Sequence, residues 1–138
     1  MALAGEDAIA PYSLKARDTT SSGTFTAETV TDTITASLIA GEEYEVRWSG
    51  VWQSSVAGDV VNQQLREDSL TGARLCDGRV PCTTANKAFS GFIRGYYTAV
   101  TTGSKTFVLT GVRDSGTGNI TRAAVATSPS VMSIDQVL

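Results

Sequence analysis

Glu43-Tyr44-Glu45-Val46-Arg47-Trp48-Ser49-Gly50-Val51-Trp52-Gln53-Ser54-Ser55 contains both tryptophans of the chain and its cleanest alternation. Tyr44, Val46, Trp48, Gly50 and Trp52 fall on one face of an extended strand, and Glu43, Glu45, Arg47, Ser49 and Gln53 on the other. Slipping the register by one residue turns both indoles to water. Since fully burying one large apolar side chain contributes about 1.5–3 kcal/mol, the tryptophan face is expected at the centre of a core.

The rest of the composition agrees with a β protein. Thr and Val together number 32, against 13 Gly and 3 Pro, and long helical-period runs of Leu, Glu, Lys and Ala are missing. With 138 residues the chain is expected to be one domain, large enough to bury a core without metals or staples. The 11 Lys and Arg are scattered singly in a chain of net charge −3, so no basic stripe marks a nucleic-acid surface. No apolar run approaches the ~20 residues needed to cross a bilayer, so membrane insertion is not expected. The start, Met1-Ala2-Leu3-Ala4-Gly5-Glu6-Asp7, turns acidic before a hydrophobic segment develops. A soluble chain made in a cytoplasm, without a secretory leader, is the expectation.

Outward from the tryptophan strand, residues 1–23 read as an extended arm in which Ile9, Tyr12 and Leu14 form at most one short strand. Residues 24–138 read as a single β-sandwich domain. Val30, Ile34, Ala36 and Leu38 recur at even spacing before the turn Ala40-Gly41-Glu42, which suggests an antiparallel hairpin with the tryptophan strand. Val61, Gln63 and Leu65 mark a half-polar strand, and residues 76–87 the longest irregular stretch. Over residues 89–112 both faces are apolar: Phe89, Ile93 and Tyr97 on one side, Phe92, Tyr96 and Val100 on the other, and Phe107 and Leu109 alternating with Val108 and Val112. Thr101-Thr102-Gly103-Ser104 reads as a hairpin turn. A small-residue strand from Ile120 is interrupted at Ser128-Pro129-Ser130, and a last strand follows. About eight strands with a turn every 8–12 residues fit an all-β antiparallel sandwich, most economically a jelly roll. An immunoglobulin-like sandwich is the runner-up, disfavoured because Cys76 and Cys82 are too close in sequence to bridge two sheets.

Catalytic constellations are missing. With no histidine, Ser-His-Asp and Cys-His arrangements are excluded, and two cysteines alone make a poor metal site, so neither an enzyme nor a cofactor is expected. Cys76 and Cys82 are two reduced thiols or one local disulfide. Glu42/Glu43 and Glu67/Asp68 are adjacent pairs whose members point to opposite strand faces, which prevents shared acid-base work. Gly116-Thr117-Gly118-Asn119 lacks the following helix that a phosphate loop needs and reads as a hairpin tip. Asp77-Gly78-Arg79 reads as a charged loop tip. The second apolar face of residues 89–112 calls for a cover, which makes Phe92, Tyr96, Tyr97 and Val108 the candidate subunit interface.

The strings Ser54-Ser55-Val56-Ala57-Gly58-Asp59, Leu65-Arg66-Glu67, Thr98-Ala99, Thr102-Gly103-Ser104-Lys105-Thr106-Phe107-Val108-Leu109-Thr110-Gly111, Ser115-Gly116-Thr117-Gly118 and Ala126-Thr127-Ser128-Pro129-Ser130 carry a likeness. Across residues 24–138 the chain resembles the small β-sandwich virion proteins of tailed actinobacterial bacteriophages, of the minor capsid, head decoration or minor tail kinds. The resemblance implies a homotrimeric jelly roll, made in the host cytoplasm and located in the virion, that clamps the major capsid protein of the head. Its alternative is a minor tail protein or host-binding adhesion module using loops 56–59, 76–85 and 114–119. The arm, with Ile9, Tyr12 and Leu14, is the expected capsid contact.

Overall fold

The computed structural model describes residues 12–138, which form nine strands and no helix. In chain order these are β1 (Ser13–Asp18), β2 (Thr29–Leu38), β3 (Glu43–Ser54), β4 (Asp59–Glu67), β5 (Arg74–Cys82), β6 (Phe89–Thr98), β7 (Gly103–Ser115), β8 (Ile120–Ala123) and β9 (Ser130–Gln136). One antiparallel sheet, sheet A, has the order β1-β9-β3-β6, with β8 also on β3; the other, sheet B, has the order β2-β7-β4-β5. β8 lies opposite residues 51–54 of β3 and β9 opposite residues 44–49, so the two act as one strand broken by a turn. Counted so, the pairs β1/β9, β2/β7, β3/β6 and β4/β5 nest inside one another. That nesting is the jelly roll.

The β3 alternation is realised as the sequence predicts. Tyr44, Val46, Trp48 and Trp52 are fully buried, facing Ile34, Leu38, Leu65, Phe107 and Leu109 in the same core. The two indoles pack at 5.4 Å between ring centroids, and Phe25 meets Trp52 edge-on at 6.3 Å. Glycines make the room. A Cβ on Gly111 would lie 2.5 Å from Trp52 Cη2, and one on Gly91 would lie 2.8 Å from Trp48 Cζ3. Each indole N–H also has an acceptor, as buried donors require. Trp52 Nε1 donates to Gln63 Oε1 at 2.9 Å, and the same amide donates to the Phe92 carbonyl at 3.0 Å. Trp48 Nε1 donates to Ser130 Oγ at 2.7 Å, which donates in turn to Asp32 Oδ1 at 2.9 Å.

Asp32 belongs to a clamp between the sheets. Arg122 of β8 is 1% exposed, and its Nε lies 3.0 Å from Asp32 Oδ2 of β2. Its Nη2 donates to Asp18 Oδ2 of β1 at 2.6 Å and to the Thr31 carbonyl at 3.1 Å, and its Nη1 donates to the Thr20 carbonyl at 2.8 Å. One guanidinium therefore ties the β1 and β2 edges of the two sheets. Burial pushes the Asp32 carboxyl above its ordinary range against the pull of Arg122. The Thr20 amide, with help from Arg122, holds the Asp18 carboxyl below it.

Several local expectations are corrected. The expected hairpins are arches between sheets: β2 pairs β7 while β3 pairs β6, and the turn at Gly103 likewise joins β6 of one sheet to β7 of the other. The physical reason is that the apolar face of β2, with Ile34, Ala36 and Leu38, covers the tryptophan face from across the core. The turn at Gly116 is also an arch, from β7 to β8. Residues 76–82, expected to be loop, lie in β5, which pairs along β4 and places Asp77-Gly78-Arg79 within a strand. The arm boundary at residue 24 moves as well. Residues 13–18 are β1, paired residue by residue with β9, and Tyr12 and Leu14 pack on the core, Tyr12 meeting Tyr44 edge-on at 6.4 Å.

Candidate interaction face

Strand alternation leaves one face of sheet A outside, and the registers order it into rows. Arg17, Val131, Ser49 and Phe92 lie abreast; the next row is Lys15, Ser133, Arg47 and Arg94, and the next Ser13, Asp135, Glu45 and Tyr96. The inner strands β9 and β3 place small residues in the first row, while the outer strands β1 and β6 carry long side chains. The result is a shallow trough, lined by Lys15, Arg47, Ser49, Phe92, Val131 and Ser133. Its β6 rim is aromatic: Phe92 is 59% exposed and Tyr96 52% exposed. Its β1 rim is cationic, with exposed Lys15 and Arg17.

Charges in the middle of the face are paired within the chain. Arg47 Nη2 bonds Asp135 Oδ2, and Arg47 Nε lies 3.2 Å from Glu45 Oε1. Arg94 lies 3.5 Å from Glu45 Oε2, and Tyr96 OH donates to the same oxygen at 3.1 Å. Toward β8 the face becomes apolar, in a hollow lined by Val51, Ala88, Ala123, Ala124 and Val125.

The four residues expected at an interface thus divide. Phe92 and Tyr96 are uncovered, as a docking face requires. Tyr97, one residue on, points into the core, where it meets Phe107 edge-on at 5.2 Å and lies under Lys105 Nζ. Val108 is 3% exposed. It lies opposite the core residues Phe107 and Leu109, beside Thr33 and Arg66, on a polar sheet face. There Arg66 spans from Glu28 (Nε to Oε2 2.7 Å) to the Gly72 carbonyl and Gln64. Val108 has no surface left to give a partner, and Tyr97 is partly buried against the core. Of the expected capsid-contact residues, Tyr12 and Leu14 are held in the domain, and Ile9 lies outside the described residues.

The other candidates resolve as structure. Cys76 and Cys82 are unbridged. Six residues apart on one strand, they sit about 20 Å apart, far beyond disulfide reach. Burial pushes the Cys76 thiol up to about 11 and raises Cys82 too, which makes both poor nucleophiles. Glu67 and Asp68, expected on opposite faces, converge on Lys105 Nζ at 2.9 and 3.1 Å, because Asp68 turns the chain at φ 65°. Both acids raise the Lys105 pKa against its desolvation. Among the described residues no group of three or more Asp, Glu, Cys or His could hold a metal. Sequence reasoning missed Arg122, whose one signal was a charged residue in a strand of small ones.

Loops also gather at one end of the sandwich. Asp59 is its hub: Ser54 Oγ donates to Oδ2 at 2.7 Å, Gly118 N to Oδ2 at 2.8 Å and Thr117 N to Oδ1 at 3.2 Å. Gly116, at φ +107°, could carry no Cβ, which would fall 1.8 Å from Asp59 Oδ1. Asn86 N donates to the Ser54 carbonyl at 2.7 Å, bringing the β5–β6 loop to the same end. The Ser54 hydroxyl first, then the Gly118 and Thr117 amides, hold the Asp59 carboxyl below the usual range against desolvation. A depressed native pKa means that the unfolded chain binds more protons. This contribution is therefore whole above the ordinary carboxylate value of about 4 and is lost as pH falls through the native one. Exchange protection of the Gly118 amide is expected to hold from neutrality to about pH 4 and fall below it. In Asp59→Asn the acid-dependent step should be gone, and its persistence would remove Asp59 as the cause.

No protein-family model matches the chain, and no curated protein does. Solved structures share its architecture. The dimeric latent PorU of Porphyromonas gingivalis aligns with a TM-score of 0.53 at 12% identity, covering 93% of this chain and 13% of that one. The infectious bursal disease virus Gx strain structure aligns at 0.45 and 13% identity, covering 92% of this chain and 31% of its own. The VP2 subviral particle of the same virus aligns at 0.44 and 11% identity, covering 93% and 42%. The chain spans less than half the length of each of these three. At such identities the likeness is one of fold, carried by the PorU alignment: an all-β, two-sheet sandwich.

Proposed function

We propose that this chain is a non-enzymatic structural protein of a virion, a homotrimeric decoration subunit that binds the major capsid protein of a tailed-phage head and stabilises the shell. The observation that carries the reading is the outer face of sheet A, where Phe92 and Tyr96 stand in solvent although the core beneath is complete. The lack of histidine and of a metal-ligand cluster among the described residues supports a role in binding. The mechanism is additive burial. A standard interface covers roughly 1,600 Å², and several subunits docking as one unit multiply the contacts that must break before the shell opens.

The proposed shell contact is the segment before Tyr12, which includes Ile9. Every described strand begins at Ser13 or later, and deletion of residues 1–11 is expected to leave a folded trimer that no longer binds capsids. Binding at full occupancy by the deleted chain would discard the shell contact. The number of copies per particle, measured against the major shell protein, tests the function itself. A ratio near one, or a fixed simple fraction, supports decoration.

A second reading, a minor tail or adhesion module, draws on the convergence of the 55–58, 83–88 and 116–119 loops around Asp59 and Ser54. A handful of copies located at the tail would favour it.

A further inference from the structure

The two rims of the sheet A trough are chemically unlike and match each other. The β6 rim offers the exposed rings of Phe92 and Tyr96. The β1 rim offers Lys15 and Arg17, both exposed and in no ion pair among the described residues, whereas Arg47 between the rims is paired to Glu45 and Asp135 and Arg94 on the aromatic rim is paired to Glu45. On one copy the rims stand about 14 Å apart, three strand spacings of about 4.8 Å, and no cation–ring contact joins them among the described residues.

We propose that the partner of the aromatic rim is the cationic rim of a second copy of this chain. In that joint the Lys15 and Arg17 cations of one copy lie over the Phe92 and Tyr96 rings of the next, gaining cation–π attraction while the rings leave water. Charge complementarity selects a second copy. The ring faces are electron-rich and the free charges of the opposite rim are positive, while Arg94, the cation on the aromatic rim, is turned to Glu45. The joint uses two different patches, so it is heterologous: each copy gives one rim and receives the other, and a rotation that closes makes a ring. The contact deepens the proposed multi-subunit reading and rests on it.

The test uses the full chain and two variants, Phe92→Ser/Tyr96→Ser and Lys15→Glu/Arg17→Glu, followed by sedimentation. Wild type should assemble, and each variant should be a monomer that melts cooperatively where wild type does once diluted below its assembly range. An equimolar mixture should form a one-to-one heterodimer and stop there, since only one joint in each pair is whole. Phe92→Leu keeps an apolar side chain but loses the ring, and should weaken assembly about tenfold. A monomeric wild type, assembly of either double variant at wild-type strength, or a mixture that yields no heterodimer overturns the joint. Copy number on particles is read separately, so a failed joint and a failed virion role remain distinct results.

Discussion

Replacing Arg122 by methionine is expected to destabilise the fold by about 3–5 kcal/mol at neutral pH, because it strands Asp32 as a buried carboxylate without its cation. Small domains hold only about 5–15 kcal/mol in all, so this one change removes a large share. Asp32 is 7% exposed at its side chain, and its remaining donors, Ser130 and Thr31, are neutral hydroxyls. The loss should depend on pH with a definite sign. A buried acid without its cation has a raised native pKa, so the folded variant binds protons more tightly than the unfolded chain. The defect should be smallest below about pH 4 and should grow as pH rises through the native value. Adding Asp32→Asn should recover most of the loss at neutrality. Urea titrations of the two variants between acid and neutral pH check this, and a defect independent of pH would show that Arg122 acts through packing alone.

Trp52→Ala is expected to cost about 3–5 kcal/mol through the cavity it opens against Trp48, Phe25 and Gly111. It also leaves the 3%-exposed Gln63 amide without the indole donor, at a further cost of about 1–3 kcal/mol. Denaturant midpoints should fall with little change in slope. Phe92→Ser, the same kind of truncation at an exposed ring, should stay within about 0.5 kcal/mol of wild type. Equal losses at Trp52 and Phe92 would mean that the division into core and interaction face is wrong.

These residues also mark how far the sequence could be read. Alternation named the large inward side chains of β3, Tyr44, Val46, Trp48 and Trp52, since a period of two is local and two tryptophans leave little choice of face. It could not tell whether the next strand lies beside β3 or across from it. Both arrangements satisfy a short turn such as Ala40-Gly41-Glu42, and only the packing of Ile34 and Leu38 over the indoles decides. β5 escaped notice because Gly78 and Pro81 look like loop residues, while its backbone is fixed by pairing with β4. At the interaction face, Tyr96 and Tyr97 were equally apolar candidates, and only register against Glu45 and Tyr44 sends one out and the other in. Arg122 was hidden for a deeper reason: its partners Asp18 and Asp32 lie about a hundred residues away in sequence.

The nested pairing has a kinetic consequence. β3 is flanked by β6 on one side and by β8 and β9 on the other, so a chain emerging from the ribosome cannot complete the sheet beneath Trp48 until residues past Ser130 have been made. Such distant pairings must overcome loop-closure entropy first, which sets folding on the millisecond-to-second scale typical of all-β domains. Until then the growing polypeptide carries open strand edges beside aromatic rings, and its vulnerability to aggregation lasts until β9 has left the ribosome.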